Sequence, residues 1–208
     1  MKALREKLSY TTYLIFHPFD AFWDLKHEKR GSLSAGLVIL LIVAIQQGLN
    51  NQYTGFIFNN RNVKHVSMLV SMTSIIAPLL LWCISNWCLS SVMEGEGSFK
   101  DIVMYTTYAL SPLLFMNIPI LLLSNVLVRE EASVLVVLTG VANVWTVGLI
   151  LVATMMVHNY TMLRTLITSV FIVVGMGLII FVGLLFFSLG QKIFEFIVSV
   201  YKEILLRM

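Results

Sequence analysis

The chain alternates between long runs without charged residues and short polar breaks, a pattern typical of a protein that crosses a membrane repeatedly. A helix needs about 20 mostly apolar residues to cross about 30 Å of hydrocarbon. Five runs meet this requirement, so the pattern predicts an all-α integral membrane protein built as a bundle of five transmembrane helices. The predicted spans are about Leu33–Asn50, Val66–Met93, Ile102–Val128, Val134–Val157 and Leu166–Leu189.

The second run, from Val66 to Met93, contains no Asp, Glu, Lys or Arg and should be the hub of the bundle. Pro78 lies near its middle and frees a carbonyl one turn back. The Ser74 hydroxyl, four residues earlier, is of the kind that can occupy such freed groups. Ser85 and Asn86 come later in the run, where their polar side chains favour a protein neighbour over a lipid tail.

Two prolines interrupt the third run, which contains the sequence YALSP from Tyr108 to Pro112. Pro112 and Pro119 should each kink the helix. Such kinks are tolerated in membranes where neighbouring groups supply the missing hydrogen bonds. The residues predicted for that role are Ser111, Asn117 and Asn125.

Small and polar residues predict close helix contacts in two further places. Ser32 and Gly36 form a small-xxx-small pair at the start of the first span. Gly140 and Asn143 are three residues apart in the fourth span, so they share a helix face. An interhelical hydrogen bond from Asn143 is worth only about 0.6 kcal/mol on average.

The N-terminal residues 1–32 predict surface helices and not a span. Pro18 suits a first helical position, and Phe19, Phe22 and Trp23 then share one face. An aromatic face beside basic residues is typical of a helix in the headgroup layer. Docking of this helix on the protein's own bundle explains the pattern equally well, and the two arrangements are compatible.

The C-terminal residues 191–208 repeat apolar residues at helical spacing and predict a second amphipathic segment. The chain thus divides into a cytoplasmic or interfacial segment (1–32), a five-helix domain (33–190) and this tail. Five spans put the chain ends on opposite sides of the cell membrane. Basic residues ahead of the first span favour a cytoplasmic N-terminus, and they are Lys2, Arg5, Lys7, Lys26, Lys29 and Arg30.

The turn EGEGSFKD joins the second and third spans. Gly95 and Gly97 should break the helix there, and Ser98 with Asp101 fits a capping box that starts the next one. The acidic residues of this turn are better explained as solvated loop charge than as a metal site.

Composition agrees with a membrane protein, because 58% of the 208 residues are hydrophobic and 12% are charged, against about 25% charged in soluble domains. A dispersed net charge of +3 does not indicate nucleic-acid binding. Cys83 and Cys88 are five residues apart and point to different faces of one helix. We therefore expect no disulfide between them.

No sequence pattern indicates catalysis. None of the predicted spans has an ionisable residue in its interior, which disfavours ion-coupled transport. His27 and Glu28 begin an HExxH pattern, but Gly31 stands where the second histidine is needed. The four histidines are scattered over at least two sides of the membrane. We expect no enzyme activity, no cofactor and no metal.

Taken together, these pieces resemble the Yip1-domain family, particularly its short bacterial members, over roughly residues 17 to 190. The resemblance rests on HPFDAFWDLKHEKRGS before the first span, the proline in the second, YALSP in the third, the EGEGSFKD turn and the number of spans. It implies a multi-pass membrane protein with a role accessory to transport or envelope processes.

Three functional hypotheses follow. The first is a non-enzymatic scaffold or accessory subunit, with the lipid bilayer and other integral membrane proteins as partners, a transporter complex among the possibilities. The second is a small-molecule channel or transporter with a neutral path through Gln46, Gln47, Asn50, Asn117 and Asn143. The polar cluster at the end of the first span is better explained by the helix leaving the bilayer. The third is membrane shaping by the terminal amphipathic helices. The candidate partner or helix-interface residues are Pro18, Phe22, Trp23, Ser85, Asn86, Tyr108, Pro112, Asn117, Gly140 and Asn143.

Overall fold

The computed structural model describes residues 10–28, 31–58 and 67–207, and these are helical apart from short turns. The surface helix predicted over residues 1–9, Lys29, Arg30 and the connection 59–66 lie outside the described residues. The helices are α1 (10–16), α2 (Pro18–His27), α3 (Leu33–Tyr53), α4 (Met68–Ser90), α5 (Phe99–Tyr108), α6 (Ser111–Ser124), α7 (Ala132–His158) and α8 (Met162–Arg207), with a 3-10 turn at Arg129–Glu131 before α7.

Five stretches of the described residues are long and apolar enough to cross a membrane, which agrees with the predicted number of spans. Helices α5 and α6 together form the third of them. The α4–α5 turn, the α7–α8 turn and α2 lie together at one end of the bundle, here called the α2 end. The α3 and α6 C-termini meet at the opposite end.

The centre of the bundle is formed by α3 and the α5–α6 pair. Helix α3 packs against α4, α5 and α6, while α7 packs against α5 and α6. In the most apolar part of α3 and of α5–α6, 44% of the residues are buried, against 22% in α4. Gly36 permits close approach to α5, because a methyl group there would overlap the Thr107 hydroxyl. The small-xxx-small contact at Gly36 is therefore present.

Helix α4, predicted as the hub, lies beside this centre and packs against α3, α5 and α8. Pro78 sits inside it without ending the helix. The Ser74 hydroxyl donates to the Ser71 carbonyl at 2.7 Å, so it does not occupy the carbonyl that Pro78 frees. Cys83 is buried, Cys88 is exposed and both are free thiols, as their spacing predicts.

The third span breaks at Pro112 instead of merely bending there. Pro112 lacks the amide that the Tyr108 carbonyl would accept in a continuous helix. The Ser111 hydroxyl donates to that carbonyl instead, which confirms the role predicted for Ser111. Pro119 stays within α6. The Asn125 amide joins α6 to the end of α3, at 3.2 Å from the Tyr53 carbonyl.

Helix α2 docks on the bundle through one face and leaves another exposed. Ala21, Phe22 and Leu25 are buried, and the Phe22 ring stacks on Tyr105 with 5.8 Å between ring centroids. Trp23 is 50% exposed. The predicted aromatic face is therefore divided, with Phe22 in the core and Trp23 free to meet the headgroup layer.

The fifth predicted span and the C-terminal tail form one continuous helix, α8, of 46 residues. At 1.5 Å per residue it is about 69 Å long, more than twice the hydrocarbon thickness. Its first part packs on α4 and α7. From Gly177 onward nearly all of its described side chains are exposed. The amphipathic tail is thus a projection of the last span.

Removing the hydroxyl at the break tests how the helix tolerates Pro112. Ser111→Ala should destabilise the protein by about 1 kcal/mol, because a buried carbonyl loses its donor. In a Pro112→Ala background, residue 112 again has a backbone amide that can donate to the Tyr108 carbonyl. The destabilisation by Ser111→Ala should therefore nearly vanish there. Denaturant unfolding of the purified protein measures both costs.

The matched control is Thr146→Val on α7, whose hydroxyl donates to the Ala142 carbonyl at 2.8 Å within an unbroken helix. It should cost less than Ser111→Ala. Equal costs for Ser111→Ala with and without Pro112 would contradict the explanation.

Candidate functional site

A buried histidine is at the centre of the polar contacts at the α2 end. His158, the last residue of α7, is 1% exposed. Its Nδ1 is 3.3 Å from the Gly97 amide nitrogen, and its Nε2 is 3.2 Å from Asn86 Oδ1. A backbone amide can only donate, so Nδ1 accepts and the ring proton lies on Nε2, facing Asn86. A neutral His158 therefore joins α7 to α4 and to the α4–α5 turn.

The two glycines of the α4–α5 turn allow the backbone to approach His158. A methyl group on Gly95 would lie 2.6 Å from His158 Nδ1 and 2.7 Å from the Tyr160 hydroxyl oxygen. On Gly97 it would overlap the Val157 side chain. Neither glycine has a positive φ angle. Glycine is therefore needed at these positions because a larger side chain would not fit, and not because of the backbone conformation. The helix is interrupted at these glycines, as predicted. The close packing of this turn against the end of α7 explains why both positions are glycine.

Tyr160 and Arg164 hold the other side of this turn. The Tyr160 hydroxyl donates to the Met93 carbonyl at 3.1 Å, and the Arg164 guanidinium donates to the same carbonyl. Arg164 also lies over the Tyr160 ring, 4.6 Å from its centroid. Burial raises the pKa of the Tyr160 phenol, which keeps it protonated as a donor.

Lys26 connects α2 to the same end of the bundle. Its ammonium donates to the Met156 and Val157 carbonyls at 3.3 and 3.4 Å, and it lies 3.6 Å from the Glu96 carboxylate. A cation at a helix C-terminus is stabilised by the helix dipole. The Glu96 side chain is 64% exposed, so the ion pair itself contributes little. Backbone capping is the main role of Lys26.

Four uncharged carboxamides lie around one cavity at the opposite end. This carboxamide cavity has a volume of about 570 Å³ and lies between α3, α6 and α7, with Ile75 of α4 at its edge. Gln47, Asn50, Asn117 and Asn143 line it, four of the five residues predicted for a polar path. The fifth, Gln46, instead donates to the Leu114 carbonyl at 3.0 Å.

The four carboxamides have no side-chain hydrogen bond to any described residue. Asn117 is only 7% exposed, and what remains open of it faces the cavity. Each carboxamide offers both donors and an acceptor, and none of the described residues that line the cavity is charged. The arrangement is suited to an uncharged polar molecule.

The carboxamide cavity ends about half way across the bundle. On α7 its lining runs from Ala132 to Asn143, a depth of about 17 Å at 1.5 Å per residue. Beyond that depth, toward the α2 end, Val43, Tyr108 and Leu149 are buried in the hydrophobic core. The cavity is therefore blind and does not continue through the bundle.

The remaining predicted residues separate into inner and outer positions. Within the bundle, the Ser85 hydroxyl donates to the Ile172 carbonyl at 2.7 Å and joins α4 to α8, while Tyr108 and Pro112 are buried. On the outside, Gly140 has open space around it. Pro18 borders an apolar groove formed with α7 and α8.

Sequence reasoning missed His158, Lys26 and the roles of the turn glycines. The available signal was a histidine ending an apolar run, together with two glycines in the turn between other spans. Among the described residues, no group of three His, Cys, Asp or Glu is placed to hold a metal ion.

An all-helical bundle with five apolar spans defines the chain as a multi-pass membrane protein. A comparison with protein families matches residues 12–184 to the Yip1 domain, and the chain belongs to the Yip1 domain family. The resemblance drawn from HPFDAFWDLKHEKRGS and YALSP is confirmed. No curated protein and no solved structure matches the chain significantly.

A methyl group at Gly95 should disturb the α2 end. Gly95→Ala forces the added carbon against His158 and Tyr160, and we expect a loss of about 1–3 kcal/mol from overpacking. Gly140→Ala is the matched control, since nothing lies near its added carbon. That control should be neutral or stabilising by up to about 1 kcal/mol, because alanine is the better helix former. Denaturant unfolding in detergent compares the two, and similar effects would contradict the proposed crowding at His158.

Proposed function

We propose that the protein is a non-enzymatic scaffold or accessory subunit for other integral membrane proteins, in a transport or envelope process. The observation that carries this proposal is the unpartnered surface of α8. In the stretch Met162–Glu203, only 6% of the most apolar part is buried within the chain. A helix this apolar belongs in a membrane. Most of its surface is not covered by the rest of the chain and is therefore available to a partner helix.

The outer face of α7 supports the same function. Gly140, Val141 and Val144 are exposed there, and Gly140 leaves room for close approach of another backbone. Without a hydrophobic driving force in lipid, helices associate through close packing at small residues and through polar contacts. Asn143 lies one turn from Gly140 and offers such a polar contact.

The α2 end supports a role without catalysis. Its histidine, asparagine, tyrosine and lysine side chains pair with one another or with backbone groups. A general base or nucleophile needs a free position toward a substrate, and these groups are already engaged in joining helices. Their arrangement favours a rigid support for the outer faces.

In the membrane, we place the N-terminus on the cytoplasmic side, following the basic residues ahead of α3. The end of α8 then projects from the opposite side. Its length beyond the hydrocarbon would bring residues 190–207 to a partner outside the bilayer.

Transport of a small neutral molecule is the second candidate function. The carboxamide cavity favours it, because four separate polar residues converge on one space. The core around Tyr108 and Val43 opposes a continuous path. Transport would require this core to open, whereas the scaffold function uses the bundle as it stands.

A larger side chain on the outer face of α7 should interfere with the binding of a partner helix. Gly140→Leu should leave the monomer folded, since its surroundings are open, and should shift the protein from a larger complex toward the monomer in mild detergent. Native gels and crosslinking in membranes measure this shift. Cys88→Leu, on the exposed side of α4, is the control and should keep the complex. A wild-type chain that is strictly monomeric in both assays would overturn the scaffold function.

Asn143→Leu distinguishes the two candidate functions. The fold should be nearly as stable, because the side chain makes no hydrogen bond to a described residue and membrane hydrogen bonds average about 0.6 kcal/mol. Loss of a copurifying partner would favour the scaffold. A change confined to solute flux into reconstituted vesicles would favour transport.

A further inference from the structure

The position of the carboxamide cavity relative to α8 shows what can reach it. In the half nearer the α2 end, α8 packs on both α4 and α7, and Ser85 fixes α4 to Ile172 of α8. No α8 residue lines the cavity, and from Gly177 onward α8 is almost wholly exposed. Helix α8 thus covers the gap between α4 and α7 in the half nearer the α2 end and leaves this gap uncovered in the other half.

The lining at the cavity mouth indicates an opening toward the bilayer. Val136, Thr139 and Asn143 on α7 line the cavity and are exposed. Ile75 of α4 lines it from the other side and is half-buried. A molecule held between these helices can keep apolar parts in the hydrocarbon while its polar part meets the carboxamides. Two deeper residues, Asn117 and Gln47, lie beyond the mouth.

The chemistry of the lining defines the class of ligand. The carboxamides, with the Thr139 hydroxyl, present donors and acceptors side by side. A hydroxyl group is the uncharged partner that can both accept and donate. Among the described residues that line the cavity there is no lysine or arginine to compensate a phosphate and no carboxylate to compensate an amine. This described lining favours an uncharged headgroup.

We propose that the carboxamide cavity is a binding site for an uncharged, hydroxyl-bearing group, held by Asn117, Asn143 and Gln47 and entered between α4 and α7. The group is the headgroup of a neutral glycolipid or a free polyol. The proposal goes beyond the scaffold function and does not depend on it. Asn117 and Gln47 line the cavity away from the outer faces, while Asn143 is shared with the outer face of α7.

Native mass spectrometry of the purified full chain tests the site with three probes. These are galactosyl diacylglycerol, free galactose, and phosphatidylglycerol, which carries hydroxyls together with a charged phosphate. We expect one copy of the galactolipid to be retained and phosphatidylglycerol to be retained at least about tenfold less well, since its charge finds no partner. Retention of free galactose at similar affinity would support the site and assign it to a polyol.

Asn117→Leu combined with Asn143→Leu should weaken binding of the galactolipid by roughly tenfold or more, as two hydrogen bonds are lost. The melting temperature should be nearly unchanged, because neither amide makes a side-chain hydrogen bond to a described residue. Cys88→Leu, on the exposed side of α4 and outside the cavity lining, is the control and should bind as the wild type does.

Thr139→Leu provides a second variant at the exposed mouth, which narrows entry without touching the buried amides. It too should weaken retention of the galactolipid. Undiminished retention in both variants, or equal retention of phosphatidylglycerol by the wild type, would overturn the proposal.

Discussion

The hydrocarbon of a bilayer offers no water to a backbone carbonyl that has lost its amide partner, so each break in a spanning helix needs an internal donor. The third span meets this constraint at Pro112, where the Ser111 hydroxyl donates to the Tyr108 carbonyl. Both halves of the broken span, α5 and α6, then pack against α3 and α7. The enclosed centre of the bundle and the position of Tyr108 within it both depend on this local repair.

The two ends of the bundle differ in how their polar side chains are paired. At the α2 end, three chain segments meet through His158, Tyr160 and Lys26, and two glycines supply the space. Polar groups there satisfy one another. At the opposite end, four carboxamides face a common cavity without side-chain partners in the described part of the chain. One end is thereby suited to holding helices together and the other to receiving a molecule.

These features allow the proposed scaffold and the proposed ligand site to exist in one protein. The scaffold function uses apolar outer surface, chiefly along α8 and the Gly140 face of α7. The cavity uses polar groups facing inward, reached between α4 and α7. Asn143 lies at the boundary, since it lines the cavity and is also exposed. A partner bound on α7 would therefore lie beside the cavity mouth and could affect entry.

The sequence by itself determined the five spans, the capping box at Ser98 and Asp101 and the family, and it located an irregularity at Pro112 but predicted a kink there and not a break. These features depend on hydrophobic length and on local backbone chemistry, which residues close in the chain control. It also singled out most of the carboxamides as polar residues within spans. Local patterns did not indicate that Gln46 turns away to Leu114 while Gln47 faces the cavity.

Only the tertiary structure decided which polar residues meet and which helices are enclosed. His158 and Asn86 are distant in the chain and become partners because α4 and α7 end at the same side of the bundle. The sequence predicted α4 as the hub, because an apolar helix face that meets lipid has the same residue pattern as one that packs against protein. The continuation of α8 past residue 190 was likewise hidden, because an amphipathic tail has the same periodicity whether it is separate or joined to the preceding span. Burial depends on which helices become neighbours, and no single stretch of sequence contains that information.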